Sequence, residues 1–391
     1  MERVDVAVIG GGLLGCATAY YLARGGASVA LLERGELNRE ASGQNAGSLH
    51  FQLEFRMIVK GETIAEQFAS AMPLFLDAQR TWATLEAELG TGLGVHIGGG
   101  LMVAESGAEL AALERKSALE NRAGLDTRLL DGEEARQVAP YLSPMVRGAN
   151  WCPSEGHANP RLVAPAFAAA AARAGALIAA RTPVVGLSRP DTAWLVETAG
   201  GPPLRAEVVV VAAGIWSGEL TAMAGFALPL LPHALTIFAT GASGPLIEHL
   251  IQHAGERLSL KQTAEGNVLV GGGWPSRLHE RDGVPDPSLR PAARFGSITG
   301  SASVAARIVP AVAALSAIRI WTGITAASPD NVPVLGEVPG RRGLFVATAG
   351  SLFTLGPSFA RLLAEQILES RSSLPLAAYS PARFAAATGG R

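Results

Sequence analysis

Residues 10–15, near the start of the chain, have the spacing G-x-G-x-x-G, which is used to bind the phosphates of dinucleotides. In this role Gly10 permits a tight turn, Gly12 lets backbone N–H groups approach a pyrophosphate, and Gly15 lets a helix pack closely on a strand. The N-terminus of that helix offers partial positive charge to the phosphates. Glu33 ends the next apolar run, where a carboxylate can accept hydrogen bonds from an adenosine ribose. These residue types predict a dinucleotide site.

The elements that position this site are a strand, a helix and a second strand. An apolar run at residues 4–9 precedes the glycines, a helical pattern covers residues 16–24, and residues 29–32 form another apolar run. This order is a β-α-β unit, the context in which the glycine motif is specific. The carboxylate of Glu33 disfavours NADP, because a ribose 2′-phosphate would meet a negative charge. It does not distinguish NAD from FAD.

A loop of small and polar residues follows shortly after Glu33. Residues 41–48 read Ala-Ser-Gly-Gln-Asn-Ala-Gly-Ser and are rich in hydrogen-bond donors. Such a loop can approach a second phosphate and a flat ring without steric conflict. An ordinary surface turn has the same composition, so the loop on its own leaves both interpretations open.

The composition limits the classes of protein that fit. The chain has 391 residues, of which 48% are hydrophobic and 17% are charged, with a formal net charge of −2. This length predicts two lobes, and the charge balance gives no reason to expect nucleic acid or an acidic membrane surface as a partner. No apolar run reaches the roughly 18 residues that a transmembrane helix needs. We therefore expect a cytoplasmic protein without a membrane span.

The chain has two cysteines, Cys16 and Cys152, which stand far apart in the sequence. Two isolated thiols cannot ligate an iron–sulfur cluster, and the chain lacks the residue spacing of a zinc site. We therefore predict no metal site in this chain, and the cysteine usage is consistent with a reducing compartment.

The order of the predicted elements indicates two interleaved domains. Up to about residue 217, strand and helix patterns alternate. The strand predicted at residues 206–212 contains the start of an uninterrupted apolar run, residues 208–213, which is typical of a parallel strand buried on both faces. The stretch at residues 343–350 ends in a glycine turn and leads into a helix predicted over residues 357–369. A nucleotide-binding domain built from separated segments fits this order. Between residue 217 and the C-terminal stretch that begins at residue 343, antiparallel strands are predicted over residues 228–240, 257–262, 267–271 and 318–325.

Four separated segments carry a resemblance to a known family: residues 10–15 with Glu33, residues 42–48, residues 208–214 with Trp216, and residues 321–357. Together they resemble the D-amino-acid oxidase (DAO) family of FAD-dependent amine oxidoreductases, which includes glycine and sarcosine oxidases. The stretch that begins Ser-Gly-Gln-Asn-Ala-Gly-Ser-Leu-His at residue 42 is most similar to the flavoprotein β subunits of bacterial opine oxidases and D-hydroxyproline dehydrogenases.

The family resemblance implies a two-domain fold. An α/β, Rossmann-like FAD-binding domain would comprise residues 1–62, 145–220 and 322–391. An α+β substrate domain with an antiparallel sheet, as in glycine oxidases, would comprise residues 63–144 and 221–321.

The resemblance also assigns residues to a bound FAD. The residues matched to the pyrophosphate and ribose are Gly10, Gly12, Leu13, Gly15, Glu33 and Arg34. The residues matched to the adenine side are Val184, Ala212, Ala213, Gly214 and Trp216. The residues matched to the phosphates and the ring are Ser42, Gln44, Asn45, Ala46, Gly47 and Ser48. Backbone N–H groups at the pyrimidine end of the ring would stabilise the negative charge of reduced flavin, and they would come from Gly350, Ser351, Leu352, Phe353 and Thr354.

The chain departs from the family pattern at positions that affect substrate binding and reactivity. Many relatives carry an arginine at the position of Thr325, where it binds the substrate carboxylate, and Arg319 is a candidate substitute. A lysine that activates O2 in sarcosine oxidases is replaced by Leu269, which predicts a dehydrogenase. Gly323 stands where sarcosine oxidases have the cysteine that bonds flavin, so we expect noncovalent FAD. Leu352 cannot adopt positive φ cheaply, so the turn before the last helix is predicted to differ.

Polar residues in two further segments are candidates for the substrate pocket. Lys261 and Gln262 lie on a predicted strand of the second lobe and could meet a carboxylate, although a surface lysine fits the pattern as well. Alternate residues of an extended segment point to one face, and after the small polar loop these are His50, Gln52, Glu54 and Arg56. A solvated strand face is an equal alternative for them, and His50 is the strongest candidate.

The leading prediction is FAD-dependent dehydrogenation of a secondary or D-configured amino acid, such as an opine or D-hydroxyproline. Hydride would pass from the α-carbon to flavin N5, water would hydrolyse the imine product, and additional redox subunits would receive the electrons. A second hypothesis makes the chain a flavin-carrying electron-transfer or assembly subunit, since position 325 lacks the arginine. An NAD-dependent dehydrogenase is a third hypothesis, which the C-terminal motif disfavours.

Overall fold

The computed structural model of the chain describes residues 3–55, 61–350 and 352–388. Its helices are α1 (Leu13–Arg24), α2 (Ala41–Gln44), α3 (Glu62–Ala69), α4 (Met72–Leu89), α5 (Gly107–Arg122), α6 (Gly132–Val138), α7 (Pro160–Arg173), α8 (Ser217–Met223), α9 (Phe295–Ile308) and α10 (Leu352–Glu369). Short 3-10 helices cover Gly214–Trp216, Pro310–Ala314, Ala377–Tyr379 and Pro381–Thr388.

Most of the strands are short, and they belong to two large sheets and two small ribbons. In chain order they are β1 (Arg3–Ile9), β2 (Val29–Leu32), β3 (Ser48–Leu49), β4 (Gly100–Ala104), β5 (Arg128–Asp131), β6 (Gly148–Cys152), β7 (Gly156–His157), β8 (Leu177–Ala179), β9 (Val184–Ser188), β10 (Trp194–Thr198), β11 (Leu204–Val211), β12 (Leu231–Ala242), β13 (Leu250–His253), β14 (Ser259–Gln262), β15 (Asn267–Gly271), β16 (Glu280–Arg281), β17 (Val284–Pro285), β18 (Ala317–Ala327), β19 (Val334–Glu337) and β20 (Leu344–Thr348).

The first large sheet has β1 at its centre. Along the order β19-β20-β11-β1-β2-β8 the neighbours are parallel, except for the antiparallel edge pair β19 and β20. The hairpin of β9 and β10 is attached to β11. Side chains of β1 alternate between two cores, since Val6 and Val8 pack with α1, α4, α7 and α10, whereas Ala7 and Ile9 pack with the hairpin and α8. This sheet and its two covering layers form the first lobe.

The second large sheet is mainly antiparallel and runs in the order β18-β12-β15-β14-β13-β4-β6-β5. One of its faces packs on α9, where Leu258 and Leu260 meet Val304 and Ile308 in a buried core. The other face is turned toward the first lobe, because Met102 of β4 and Ser259 of β14 line the large cavity described below. The parallel α/β lobe and the antiparallel second sheet are those of the predicted fold class.

The predicted domain boundaries differ from the observed sheets at three places. The prediction puts strand β6 and residues 322–327 of β18 in the first domain, but both hydrogen-bond within the second sheet. It puts residues 72–89 in the second domain, but they form helix α4, whose Trp82 and Leu85 are buried in the core beneath the first sheet. Sequence order misplaces these segments because the chain crosses between the lobes several times.

The C-terminal helix begins earlier than predicted. The sequence pattern predicts a start at Pro357, yet α10 begins at Leu352 and carries Pro357 inside it. The positive φ values fall instead on Ala349, at 64°, and Gly350, at 81°. Leu352 is therefore helical, and the steric objection to that residue does not arise.

Candidate active site

The glycine motif forms a close-packed junction between β1 and α1. A Cβ atom on Gly10 would lie 2.4 Å from the carbonyl oxygen of Ala212, and one on Gly15 would lie 1.9 Å from the carbonyl oxygen of Gly10. Helix α1 has no side-chain cap and no acidic residue in its first turn. Leu13 N–H, in the first turn, donates to Ser42 Oγ at 2.9 Å. The positive end of the helix dipole nevertheless faces the cavity, where it favours a negatively charged ligand.

Glu33, directly after β2, stabilises the loops beside this junction by hydrogen bonds. Its carboxylate accepts hydrogen bonds from the backbone N–H groups of Gly11, at 2.7 Å, and Gly35, at 2.8 Å. Next to it the guanidinium of Arg34 lies 3.7 Å from the centre of the Trp216 ring. The Trp216 ring and the Arg34 guanidinium stacked on it line the same cavity as the glycine loop, and together they form a flat surface that suits an adenosine.

The small polar loop at residues 41–48 faces a cavity rather than open solvent. Asn45 holds it in shape, because its Nδ2 donates to the carbonyl oxygen of Ser42 at 2.7 Å and its Oδ1 accepts from Gly47 N–H at 2.7 Å. The indole N–H of Trp321, on β18, donates to the carbonyl oxygen of Gln44 at 2.8 Å. The loop is thereby fixed between the two lobes.

One deep cavity, of about 1730 Å³, runs from the glycine loop to the second sheet. This is more than a small-molecule site of about 300–1,000 Å³ requires, and it leaves room for a dinucleotide and a second molecule. The predicted residues that line it are Gly10, Gly12, Leu13, Glu33, Arg34, Ser42, Gln44, Asn45, Ala46, Gly47, Ser48, His50, Val184, Ala212, Ala213, Gly214, Trp216, Gly323, Thr325, Gly350, Leu352, Phe353 and Thr354.

The first turn of α10 forms one wall of the cavity. Thr354 is tied to the facing segment, since its Oγ1 accepts a hydrogen bond from His50 N–H at 3.3 Å. Trp82, on α4, holds the same turn from behind by donating its indole N–H to the carbonyl oxygen of Thr354 at 2.7 Å. The N-terminus of α10 therefore meets the same cavity as the N-terminus of α1.

The second lobe presents one face of β14 and of the residues before it to the cavity. Leu258 and Leu260 point into the core beneath α9, so the alternating positions Arg257, Ser259 and Lys261 point the other way. Exposure falls along this row: Arg257 is exposed, Ser259 is half-buried and Lys261 is only 2% exposed. Arg257 and Ser259 line the cavity, and Lys261 lies behind it.

Lys261 is a buried amine with a single polar contact in the described part of the chain. Its Nζ donates to Ser48 Oγ at 3.0 Å. Burial lowers the pKa of Lys261 to about 7, because the ammonium form loses its hydration. Near physiological pH a large fraction of Lys261 is thus the neutral amine, which can accept a proton.

His50 lies beside Lys261 at the cavity wall. Its Nε2 lies 3.5 Å from Ser259 Oγ, and its Nδ1 is buried with no hydrogen-bond partner among the described residues. Burial, together with the charge of Lys261, lowers the pKa of His50 to about 3. His50 is therefore a neutral imidazole at the cavity wall, and its unpartnered Nδ1 is buried within the protein.

Three of the predicted candidates lie elsewhere. Arg319 is exposed on β18, with its guanidinium 6.0 Å from the Trp321 ring, and does not line the cavity. Gly15 serves packing between α1 and β1 rather than contact with the cavity. Gln262 points away from the cavity, where its amide bonds to the backbone of residues 244–247. Ser351 and Arg56 lie outside the described residues.

Gln52 is predicted to face the pocket with His50, but it is buried in a polar cluster behind the cavity wall. The segment is not a regular strand beyond β3, so the alternation stops. Gln52 Nε2 donates to Glu155 at 2.8 Å, while its Oε1 accepts from Lys116 Nζ and from Asn150 Nδ2, each at 2.9 Å. The buried pair of Lys116 and Glu120, 2.6 Å apart, completes the cluster.

This cluster holds the backbone that carries His50. The Glu155 carboxylate accepts from Phe51 N–H at 2.8 Å and from Gln52 N–H at 2.9 Å, and Glu120 accepts from Leu53 N–H at 2.6 Å. Burial raises the pKa of Glu155, although hydrogen bonds from Gln52 oppose the shift.

Sequence reasoning missed Arg257 and Ser259. Both lie on the predicted strand at residues 257–262, at even spacing from Lys261, so the alternation rule applied to Lys261 would have found them. In the part of the chain that the structure describes, Arg257 has no ion pair and faces the cavity. It is thus a better candidate than Arg319 for meeting a substrate carboxylate.

Comparison with known proteins agrees with this geometry. A family model described as "FAD dependent oxidoreductase", DAO, matches residues 5–366. The chain belongs to the DAO family.

Similar proteins of known function support a DAO assignment over the whole chain. Glycine oxidase of Geobacillus kaustophilus is 28% identical, covering 98% of this chain and 97% of that protein. Its crystal structure superposes with a TM-score of 0.85, covering 97% of this chain and 98% of that one. An opine oxidase subunit of Rhizobium meliloti is also 28% identical, with 98% of both chains covered.

A further solved structure supports the fold alone. L-proline dehydrogenase from P. horikoshii superposes with a TM-score of 0.86 at 24% identity, covering 99% of both chains.

The predicted family, fold class and dependence on FAD are confirmed, and this DAO enzyme oxidises amines or amino acids.

The residues of this DAO enzyme fit FAD. The uncapped N-terminus of α1 lies where the glycines allow close approach, and Glu33 and the Arg34–Trp216 pair lie at the adenosine end of the same cavity. A Cβ atom on Gly12 would lie 2.8 Å from Ser42 Oγ, so a side chain at that position would enter the space between the two phosphate-facing loops.

Neither a metal-binding cluster nor a membrane-spanning helix is found among the described residues. Within residues 3–55, 61–350 and 352–388, no three His, Cys, Asp or Glu side chains are grouped so as to hold a metal ion. Over the same ranges, none of the helices combines the length and apolar character that crossing a bilayer requires.

Proposed function

We propose that this chain is a dehydrogenase of a secondary or D-configured amino acid, such as an opine or D-hydroxyproline, with noncovalent FAD. The observation that carries the proposal is the row Arg257, Ser259 and Lys261, which places a cation and a hydroxyl on the wall of the cavity that holds the FAD residues, with a buried amine directly behind that wall. Similarity to the opine oxidase subunits of two bacteria supports an N-substituted amino acid as the substrate.

The chain's residues would bind and orient such a substrate as follows. Arg257 provides a guanidinium for a carboxylate at the outer end of the row, since a charge-assisted bidentate pair fixes both position and angle. The hydroxyls of Ser48 and Ser259, which line the cavity, offer acceptors to the amine. FAD supplies the acceptor for the hydride that leaves the α-carbon.

The proposal includes an electron acceptor other than O2. Leu269 lies opposite Lys261 across the β14–β15 pair, at the position where the family resemblance places the lysine of sarcosine oxidases. An apolar side chain there gives no cation for a superoxide intermediate. The chain contains no cysteine cluster for an iron–sulfur relay, so we infer that a further redox subunit receives the electrons. The opine oxidase relative is itself named as one subunit of its enzyme, which supports this arrangement.

Anaerobic reduction of the bound flavin by a substrate panel tests the function directly. The panel contains opines, D-hydroxyproline, D-amino acids, L-proline, sarcosine and glycine, and the readout is loss of the visible absorbance of the oxidised flavin. Bleaching by at least one N-substituted or D-amino acid is expected. If none of them bleaches the flavin of the isolated chain, the alternative of a flavin-carrying subunit with its substrate chemistry elsewhere replaces the proposal.

Two arginine variants test where the carboxylate binds. Arg257→Met should raise KM by about 10- to 100-fold, because a charge-assisted hydrogen bond contributes about 1.5–3 kcal/mol. Arg319→Met is the matched control, since Arg319 is exposed on the same sheet but outside the cavity. An unchanged KM in Arg257→Met, or a raised KM in Arg319→Met, would assign the carboxylate to another residue.

A further inference from the structure

Oxidation of an amino acid by hydride loss requires a neutral amine, whereas most amines bind from water as ammonium ions. The proton has to leave inside the cavity, away from bulk water. Two hydroxyls on the cavity wall, Ser48 and Ser259, lie 3.1 Å apart at their Oγ atoms. Ser48 Oγ is also 3.0 Å from Lys261 Nζ. A continuous row of hydrogen-bonding atoms therefore joins the cavity to a buried amine.

We propose that Lys261 is the proton acceptor for the substrate ammonium, and that Ser48 and Ser259 carry the proton from the cavity to it. The inference rests on the proposed function, because it concerns the amine of that substrate. In the step, the substrate N–H bond breaks as the Ser259 oxygen takes its proton. The hydroxyl proton of Ser259 passes to the Ser48 oxygen, and the hydroxyl proton of Ser48 passes to the lone pair of Lys261 Nζ. An ammonium and an amine become an amine and an ammonium, so charge and protons balance.

The surroundings of Lys261 make it a base. It is only 2% exposed, and within residues 3–55, 61–350 and 352–388 it has no carboxylate partner and bonds to Ser48 alone. An unpaired buried ammonium is costly, so its neutral form is favoured. Burial accordingly lowers the pKa of Lys261 to about 7.

The titratable groups that face Lys261 from neighbouring elements do not compete for the proton. His50, after β3, and His157, on β7, are both half-buried, and loss of hydration together with the charge of Lys261 lowers the pKa of each to about 3. His96 packs on His157, with ring centres 5.2 Å apart, and further lowers the pKa of His157. On β15 the residue opposite Lys261 is Leu269. Unlike His50 and His157, Lys261 is therefore suited to take a proton between pH 7 and 9.

The kinetic test measures the anaerobic rate of flavin reduction against pH for the wild type and for Lys261→Met, a substitution of similar volume. The wild-type rate should fall below about pH 7, where Lys261 is already protonated. In Lys261→Met the substrate must arrive neutral from solution, so the rate at pH 7.5 should fall by about 10²-fold and recover at pH 10. Ser48→Ala should behave like Lys261→Met, and Ser48→Thr, which keeps a hydroxyl, should restore the rate.

A titration independent of substrate checks the state of Lys261. The chain's lysines are Lys60, Lys116 and Lys261, so 13Cε-lysine NMR of the holoenzyme gives few signals, and Lys261→Met assigns the one in question. That signal should titrate between pH 6 and 8.

Each contrary result has a definite meaning. A Lys261 that stays cationic at pH 9, a Lys261→Met rate equal to the wild type at pH 7.5, or a loss of rate that is the same at every pH overturns the relay and leaves the proposed function standing. A wild-type flavin that no amino acid of the panel reduces at any pH overturns the proposed function and the relay together.

Discussion

Lys116→Met should destabilise the protein strongly, although Lys116 lies behind the cavity wall and does not touch it. Lys116 and Glu120 are 0% exposed and lie one turn apart on α5, with Nζ 2.6 Å from Oε1. Replacing the lysine leaves the Glu120 carboxylate buried without its counter-ion. Breaking a buried pair in this way costs about 3–5 kcal/mol, more than most single substitutions.

A second substitution distinguishes this cause from a packing defect. In Lys116→Met/Glu120→Gln the buried charge is gone, and the Gln carbonyl can still accept the hydrogen bond that Leu53 N–H now donates to Glu120 at 2.6 Å. The double variant should therefore regain about 1–3 kcal/mol relative to Lys116→Met. Arg115→Met is the matched control, since the neighbouring Arg115 is exposed on the same helix and should change stability by no more than about 0.5 kcal/mol.

Urea unfolding of the FAD-loaded protein, followed by circular dichroism and by flavin fluorescence, measures these differences. The three variants need equal FAD saturation, because bound ligand stabilises the folded state by mass action. A loss below about 1 kcal/mol in Lys116→Met, or a double variant no more stable than the single one, would contradict the assignment of Lys116 and Glu120 as a buried charge pair.

Three further outcomes are expected. Gly12→Val should give colourless protein, because its side chain would enter the space beside Ser42 Oγ, and retention of stoichiometric FAD would contradict the site. Reduced enzyme should react slowly with O2 in stopped flow, and Leu269→Lys should speed that reaction if the missing cation is the reason. Lys261→Met should be more stable than the wild type at pH 6, by at most about 5 kcal/mol. The lysine pKa is lowered on folding from 10.5 to about 7, so the gain is full below pH 7 and fades as the pH rises toward 10.5; thermal unfolding at pH 6 and pH 10 measures it.

The first lobe could be predicted in detail because its signals are local. The strand before Gly10, the helix after it and the acid at Glu33 are adjacent in sequence, and each has a steric or electrostatic requirement that few residue types meet. The apolar run at residues 208–211 is equally clear, since this C-terminal half of β11 pairs with parallel strands on both sides and its last three residues are buried.

The substrate side could not be predicted from local pattern alone. Ser48 and Lys261 are hydrogen-bonded in the fold but far apart in sequence, and neither position indicates the other. Arg257 directly precedes β14 and Arg319 lies on β18. Only the pairing of those strands in the folded sheet shows that Arg257 is the one that faces the cavity. Gln52 leaves the predicted alternation because Glu155, on another segment, holds the backbone around it.

The order of strands in the first sheet has a consequence for synthesis of the chain. β11 needs β20 as its parallel neighbour, and α1 packs against α10, so the first elements to leave the ribosome are completed by some of the last. Until β19 and β20 have been made the sheet lacks its edge beside β11, and until α10 has been made the cavity lacks its second helix N-terminus. FAD capture is thus expected to follow translation, and nascent chains ending before β20 should be recognised by chaperones as incomplete rather than accumulate as a folded domain.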